Sequence, residues 1–402
     1  MLSYTSELKV SLPEYMTGTS RFQAMNKLLS VNTEWRKEAF YKIREILMCM
    51  FNHNASDMEI GGYGSNQRVW YRIYGTKSPI EEFGLLTNDE ASILLLSILT
   101  DEQKVDLLRN KNIDLSIGIK LKEIETEARF RCDIYYENNS LAGSFRKINQ
   151  TLFPIESLGF SEPILKRLCL SHEKRGLVLI TGITGSGKSS TLDSIINMNN
   201  NTSKGHIIVI GNPIEYIHKS NKCIIRHREV GEDVLTFKSG AREALRQDPD
   251  IIVVGEMRDP DTMSMVIEVT DSGHKVFSTM HTSSAIESIH RIIGEFPTQE
   301  QERIRLRLAD TLSIVISQKL VPNVNNQLTL AKEILSVNAS VVAAIKNNNV
   351  SEIYQMITEG KKQGMISIEQ DLFNLYKNGI ITKENAINYS NNKNRMLQLL
   401  QY

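Results

Sequence analysis

The stretch that most constrains this chain is Gly182-Ile-Thr-Gly-Ser-Gly-Lys-Ser189, which meets the spacing G-x-x-x-x-G-K-S with Gly182, Gly187, Lys188 and Ser189 in the fixed places. The run before it, Leu177-Val-Leu-Ile-Thr181, is apolar and rich in β-formers, and reads as a buried strand. Ser190-Thr-Leu-Asp-Ser-Ile-Ile-Asn197 reads as the start of a helix. Strand, glycine-rich turn and helix follow in the order a phosphate-binding loop requires. Glycines let the backbone turn tightly and present successive N–H groups to phosphate oxygens. The helix adds its positive end. Lys188 is placed to reach the β- and γ-phosphates and Ser189 to hold Mg²⁺, with Thr184, Gly185, Ser186 and Ser190 completing the cradle. A glycine-rich turn that fits the pattern by chance would lack the flanking strand and helix.

With 402 residues the chain has room for two or three domains, and its charged share of 23% is that of an ordinary globular protein. The 47 lysines and arginines equal the 47 aspartates and glutamates, which argues against a protein dominated by nucleic-acid phosphate contacts. The four cysteines, Cys49, Cys132, Cys169 and Cys223, are scattered and form no C-x-x-C pair, so neither a zinc site nor a thiol redox motif is expected. No stretch is apolar for long enough to span a bilayer and no signal-like start is present. A cytoplasmic location is expected, with any membrane contact peripheral.

Residues 1–32 are mixed and polar, and read as an N-terminal extension. A helix is expected over 34–51, with Trp35, Phe40, Ile43, Leu47 and Met50 on its apolar side. Strands at 55–62, 68–74, 128–136 and 143–148 and a helical stretch at 87–111 make 33–149 a small α+β domain. Its Arg129, Arg131 and Arg146 read most simply as solvated strand-face residues; the sharper reading turns some of them toward a nucleotide on a neighbouring subunit. Residues 150–159, with Pro154 and Gly159, look like a linker. From 160 to 322, strands at 177–181, 206–210, 251–254 and 275–279 alternate with helices, which predicts an α/β fold with a mostly parallel sheet. Residues 323–402 read as helical.

Three further stretches carry chemistry. Asp250-Ile-Ile-Val-Val-Gly-Glu-Met-Arg-Asp259 is an apolar strand ending in a carboxylate. In nucleotide hydrolases such a strand tip lies beside the phosphate loop. Gly255 occupies the place usually held by an aspartate, which leaves Glu256 as the candidate base. His274 and His281 bracket a single strand, and suggest a γ-phosphate sensor or a polar bridge to the next subunit. Arg228, Arg242 and Arg246 are either a salt-bridged helix surface or stabilisers of the transferred phosphoryl group, in cis or from a neighbour.

Taken together the motifs resemble the secretion ATPase superfamily, and within it the type IV pilus retraction ATPases (the PilT family). The resemblance rests on the phosphate loop, on Pro213-Ile-Glu215 at the end of an "Asp box" and on Arg228-Glu-Val-Gly231. It rests also on Ala244-Leu-Arg-Gln-Asp-Pro-Asp250, on Gly255-Glu-Met-Arg-Asp259 as a modified Walker B and on Gly273 to Ala285 as a His box. Gly364-Met-Ile-Ser-Ile-Glu-Gln-Asp-Leu372 and Gly379-Ile-Ile-Thr-Lys-Glu-Asn-Ala386 match the family's tail. The resemblance implies a PAS-like N-terminal domain, a RecA-like ATPase core and a C-terminal helical region. It implies a homo-hexameric ring at the cytoplasmic face of the bacterial inner membrane, with ATP and Mg²⁺ held between the two domains and a neighbouring subunit. The ring would act on an inner-membrane platform protein to withdraw pilin, in some systems beside a paralogous assembly ATPase. Under it, Glu256 activates water, Glu215 assists metal or water placement, and His274 and His281 belong to the His box.

Two features depart from the family. Its Asp box reads Glu-Asp-Pro-Ile-Glu, whereas this chain has Gly211-Asn-Pro-Ile-Glu215. Loss of two acidic groups near the metal should slow turnover without abolishing it, since Lys188, Glu215 and Glu256 persist. The first 30 residues also extend beyond the family's usual start. Assembly ATPases share the core but usually carry a further N-terminal domain and a tetracysteine zinc insert, for which this sequence has neither room nor a C-x-x-C. A motor of a related secretion or conjugation system, a DNA translocase and a weakly hydrolysing regulator of a paralogous motor are the remaining alternatives.

Overall fold

In the computed structural model, which describes residues 2–120, 127–148 and 151–401, the chain divides into two units, Met1–Asn149 and Gln150–Tyr402. The first unit holds helices α1 (Thr5–Ser11), α2 (Gly18–Val31), α3 (Thr33–Asn52), α4 (Asn88–Ser97) and α5 (Asp101–Asn110). Its strands are β1 (Asp57–Gly61), β2 (Val69–Ile73), β3 (Thr76–Ile80), β4 (Asn112–Lys120), β5 (Glu127–Glu137) and β6 (Ser140–Lys147). They form one antiparallel sheet in the order β3-β2-β1-β6-β5-β4. In α3, Ile43, Ile46, Leu47 and Met50 are spaced for one helical face and are buried against this unit's core. Phe40 stands outside that stripe and is 44% exposed, contrary to expectation.

Residues 1–32, set apart in the sequence, belong to this unit. Phe22, Met25 and Leu29 recur along one face of α2 and join Leu8 and Leu12 in the core. Arg21 ties the segment down: it pairs with Asp89 at 2.5 Å and donates to the Leu12, Pro13 and Met16 carbonyls. The polar composition hid these helices, because only every third or fourth residue is apolar. The strand-face reading of the arginines fits the contacts: Arg131 pairs with Asp114, Arg146 with Asp57 at 2.9 Å, and Arg129 donates to Ser116 Oγ.

The second unit is built on β7 (Gly176–Thr181), β8 (Gly205–Gly211), β9 (Cys223–Glu229), β10 (Ile251–Val254), β11 (Lys275–Met280), β12 (Leu312–Pro322) and β13 (Leu328–Ser336). The order is β13-β12-β7-β11-β10-β8-β9, parallel except for the β12–β13 hairpin. Both faces are apolar, as a parallel sheet covered on both sides demands. Leu177, Leu179, Ile208, Ile210, Ile252 and Val254 enter one core, and Val178, Ile180, Ile207, Val209, Ile251 and Val253 the other.

Helices α6 (Glu162–Leu168), α7 (Lys188–Thr202), α8 (Phe237–Ala244), α9 (Pro260–Asp271), α10 (Ala285–Gly294) and α11 (Thr298–Thr311) lie in this unit. They are followed by α12 (Ala339–Lys346), α13 (Ile353–Glu359), α14 (Ile368–Lys377), α15 (Lys383–Tyr389) and α16 (Lys393–Leu399). Residues 323–402 are therefore not wholly helical, since β13 completes the sheet. Its sequence, Leu-Thr-Leu-Ala-Lys-Glu-Ile-Leu-Ser, is rich in helix formers. The Asn323 amide donates to the Gln327 carbonyl at 2.7 Å across a tight turn, and nine paired positions with β12 override local preference. In the expected linker 150–159, residue Ile155 is buried in the same core as Phe160, so its second half belongs to this unit.

Candidate active site

Parallel strands bring their C-terminal ends to one edge, where ligands of open α/β sheets bind. At that edge β7 runs into the phosphate loop, β10 into Gly255 and Glu256, β11 into His281, and β8 into residues 212–215.

The loop needs its glycines. Gly182 has φ 152°, and a Cβ there would fall 2.3 Å from Ser186 Oγ and 2.6 Å from the Gln318 carbonyl. Gly187 caps α7 at φ 85°. Beside Gly185 a Cβ would meet nothing within 4 Å, so space lies open over the loop. Lys188, 9% exposed, donates from Nζ to the Gly182 carbonyl at 2.9 Å and the Ile183 carbonyl at 3.1 Å. Burial lowers its pKa from the ordinary lysine value, and the Glu256 and Glu215 carboxylates oppose that shift. Ser186 Oγ is buried without a hydrogen-bond partner. An unpartnered hydroxyl, a lysine curled over its own loop and an open cradle at a helix N-terminus fit a bound phosphate chain.

Glu256 is aimed by hydrogen bonds between strand ends. Thr279 Oγ1 donates to the Gly255 carbonyl at 2.6 Å, the Met257 amide to the Thr279 carbonyl at 2.9 Å, and the Gly255 amide to the Ile210 carbonyl at 2.8 Å. A Cβ on Gly255, where an aspartate is usual, would sit 3.2 Å from that Ile210 carbonyl, a tight contact that a small shift of the strand end would have to relieve. Glu256 Oε2 lies 2.7 Å from Arg258 Nε and 3.7 Å from His281 Nε2. The His281 pKa is lowered, by burial first and then by the nearby Lys188 charge, with Glu256 opposing.

The remaining expected residues divide. Glu215 is exposed yet within electrostatic reach of Lys188. His274 is at the other edge: its carbonyl accepts from the Gly176 amide, level with the start of β7. The six residues of β11 separate it from His281 by roughly 20 Å. Its Nδ1 lies 3.0 Å from Ser272 Oγ. Arg228 pairs with Glu243 at 2.7 Å. Arg242 and Arg246 are exposed and also lie away from Lys188. The first residue of α8, Phe237, lies against Gly255, but the chain then runs toward the far edge, where the Gln247 carbonyl meets His206 Nδ1 at the start of β8. Within this chain, Lys188, Glu256, His281 and Glu215 gather, and His274, Arg242 and Arg246 do not.

Two supports escaped the sequence. Gln318, 2% exposed in β12, donates from Nε2 to the Ser186 carbonyl at 2.7 Å and so braces the loop from the neighbouring strand. Its one signal was a glutamine at the end of an apolar run. Asp193 on α7 meets His218 Nε2 at 3.0 Å, and the His218 amide donates to His227 Nε2 at 3.1 Å. That contact fastens the segment carrying Glu215 to the helix of the phosphate loop.

Residues 39–397 match the family described as type II/IV secretion system protein. The chain is 38% identical to the type IV pilus retraction ATPase PilT of Pseudomonas aeruginosa over 75% of its own length and 85% of that protein. It is 31% identical to the type IV pilus ATPase PilU of the same species over 90% of its length and 91% of that protein. Among solved structures, it resembles that of the pilus retraction motor PilT with bound ADP, with a TM-score of 0.78 at 35% identity, covering 88% of this chain and 98% of the other.

Proposed function

The chain belongs to the type II/IV secretion system protein family, and from that premise we propose that it is an ATP-hydrolysing motor that drives the retraction of type IV pili. The observation that carries this reading is the convergence of Lys188, Glu256 and His281 at the strand ends, in a chain similar to PilT over three quarters of its length. The loop amides and Lys188 bind and orient the β- and γ-phosphates. Glu256 accepts the proton of the attacking water, and His281 lies beside the same carboxylate. A Mg²⁺ ion held by Ser189, with Glu215 nearby, would neutralise charge on the transferred group.

The ring is taken to be a homo-hexamer at the cytoplasmic face of the inner membrane, acting on a platform protein. The first unit then serves as a PAS-like domain and the second as a RecA-like core. In such a ring the exposed Arg242 and Arg246 and the half-buried His274 would meet a neighbouring subunit and not their own phosphate loop.

The test is electron microscopy of surface pili in a strain lacking the gene, beside one carrying Lys188→Ala. Excess pili in both strains support the retraction motor. Bald cells would mean that the force runs toward assembly.

A second reading, a slow motor that assists a paralogue, is favoured by Gly211 and Asn212. A Cβ on Gly211 would fall 2.7 Å from Ile214 Cδ1, so an acidic residue there would displace Ile214. Asn212 is exposed and has room for a carboxylate. Asn212→Asp should therefore speed turnover about fivefold, the worth of about 1 kcal/mol of added charge near the metal. Unchanged steady-state phosphate release would show that charge at this position does not limit the reaction.

A further inference from the structure

Outside the ATP site, three potential metal donors meet in the first unit. Cys49 and His53 are four residues apart, at the end of α3, and therefore share a face. A single 3₁₀ turn, Glu81–Phe83, brings Glu82 to them from the segment after β3. Cys49 Sγ lies 3.3 Å from His53 Nδ1 and 3.3 Å from Glu82 Oε2. All three donor atoms fall within 4.8 Å of one another, the one such group among the described residues.

We propose that Cys49, His53 and Glu82 form a zinc site. Zn–S bonds of about 2.3 Å and Zn–N or Zn–O bonds of about 2.0 Å, at tetrahedral angles, leave donors roughly 3.5 Å apart. The two sulfur contacts already match that spacing; His53 Nδ1, which also donates to the Cys49 carbonyl at 3.0 Å, gives up that bond on binding, with the imidazole hydrogen carried on Nε2 instead. A thiolate, a neutral imidazole and a carboxylate suit zinc better than magnesium or calcium, which take oxygen donors. Cys49 is only 9% exposed, whereas His53 and Glu82 are open to solvent, so an ion can enter from outside. Three protein donors leave a fourth position for water or an added ligand. On binding, Cys49 releases its thiol proton to solvent and the ion ties the end of α3 to the 3₁₀ turn. Zinc was not expected from the sequence because no C-x-x-C is present, and Glu82 is 33 residues from Cys49.

The test uses the full chain, stripped with a chelator and free of nucleotide. Zn²⁺ is titrated against a chromophoric competitor, and Co²⁺ serves as a spectroscopic probe. The expected result is one Zn²⁺ per chain and a thiolate-to-cobalt charge-transfer band. Cys49→Ser should abolish the band, and His53→Ala and Glu82→Gln should each weaken Zn²⁺ binding about tenfold or more. His53 and Glu82 are exposed, so these two variants keep the test valid if Cys49→Ser fails to fold. The proposal is overturned if the chain binds no Zn²⁺, or if binding and the cobalt band are the same in His53→Ala and Glu82→Gln. The Cys49–Glu82 contact would then be an ordinary thiol-to-carboxylate hydrogen bond.

Discussion

Replacing Lys188 by alanine is expected to lower ATP hydrolysis by at least 10²–10³-fold, on the order of what one preorganised charge contributes to a transition state. The ammonium stands at the base of the loop, 2.9 Å and 3.1 Å from two loop carbonyls. Burial has already removed part of its hydration, so it meets a phosphate oxygen with little further desolvation. Alanine removes the charge, takes away the cation that Glu256 and Glu215 act on across the loop, and lets the Gly182 and Ile183 carbonyls face the anion. Nucleotide affinity should fall together with turnover. Steady-state phosphate release and binding of a fluorescent ATP analogue would measure the two effects. Turnover within a fewfold of the unmodified protein would mean that phosphate is held elsewhere.

Glu256→Gln should separate binding from chemistry. Glutamine has the shape of the carboxylate and can still face Arg258 and His281, but it cannot accept a proton from water. General-base catalysis contributes typically 10²–10⁴-fold, and a turnover loss of about that size is expected. Affinity for ATP should change little, because Lys188 and the loop amides are untouched. Losing Glu256's negative charge leaves Lys188 less compensated, which favours the anion slightly. Single-turnover rates beside equilibrium binding would check this. A variant that hydrolyses ATP normally would move the role of base to Glu215, which also lies within electrostatic reach of Lys188.

Much of this site was legible in order along the chain. The phosphate loop, the acidic strand tip and the histidine that follows β11, His281, are local patterns, because the turn, the glycines and the strand ends they depend on lie within a few residues. The parallel sheet followed from apolar runs alternating with helical ones. Failures occurred where a residue's setting depends on distant chain. The helix formers of β13 became a strand through pairing with β12. The polar N-terminal residues proved to be two helices closing the first unit's core.

What the sequence determined by itself was the chemistry: a glycine loop that can bind phosphate, a lysine, a serine and a glutamate at the required spacing, and membership of a family whose motifs occur in the same order. Tertiary structure decided which of these groups meet. His274 and His281 look equivalent on either side of one strand, but a strand has two ends, and in a parallel sheet only the C-terminal one faces the loop. Arg242 and Arg246 are carried off by the direction of α8 and the chain beyond it, and Gln318 is brought in by β12 from more than a hundred residues away. Spacing along the chain sets which groups are available; the strand order and the direction in which each element runs set which of them share an edge.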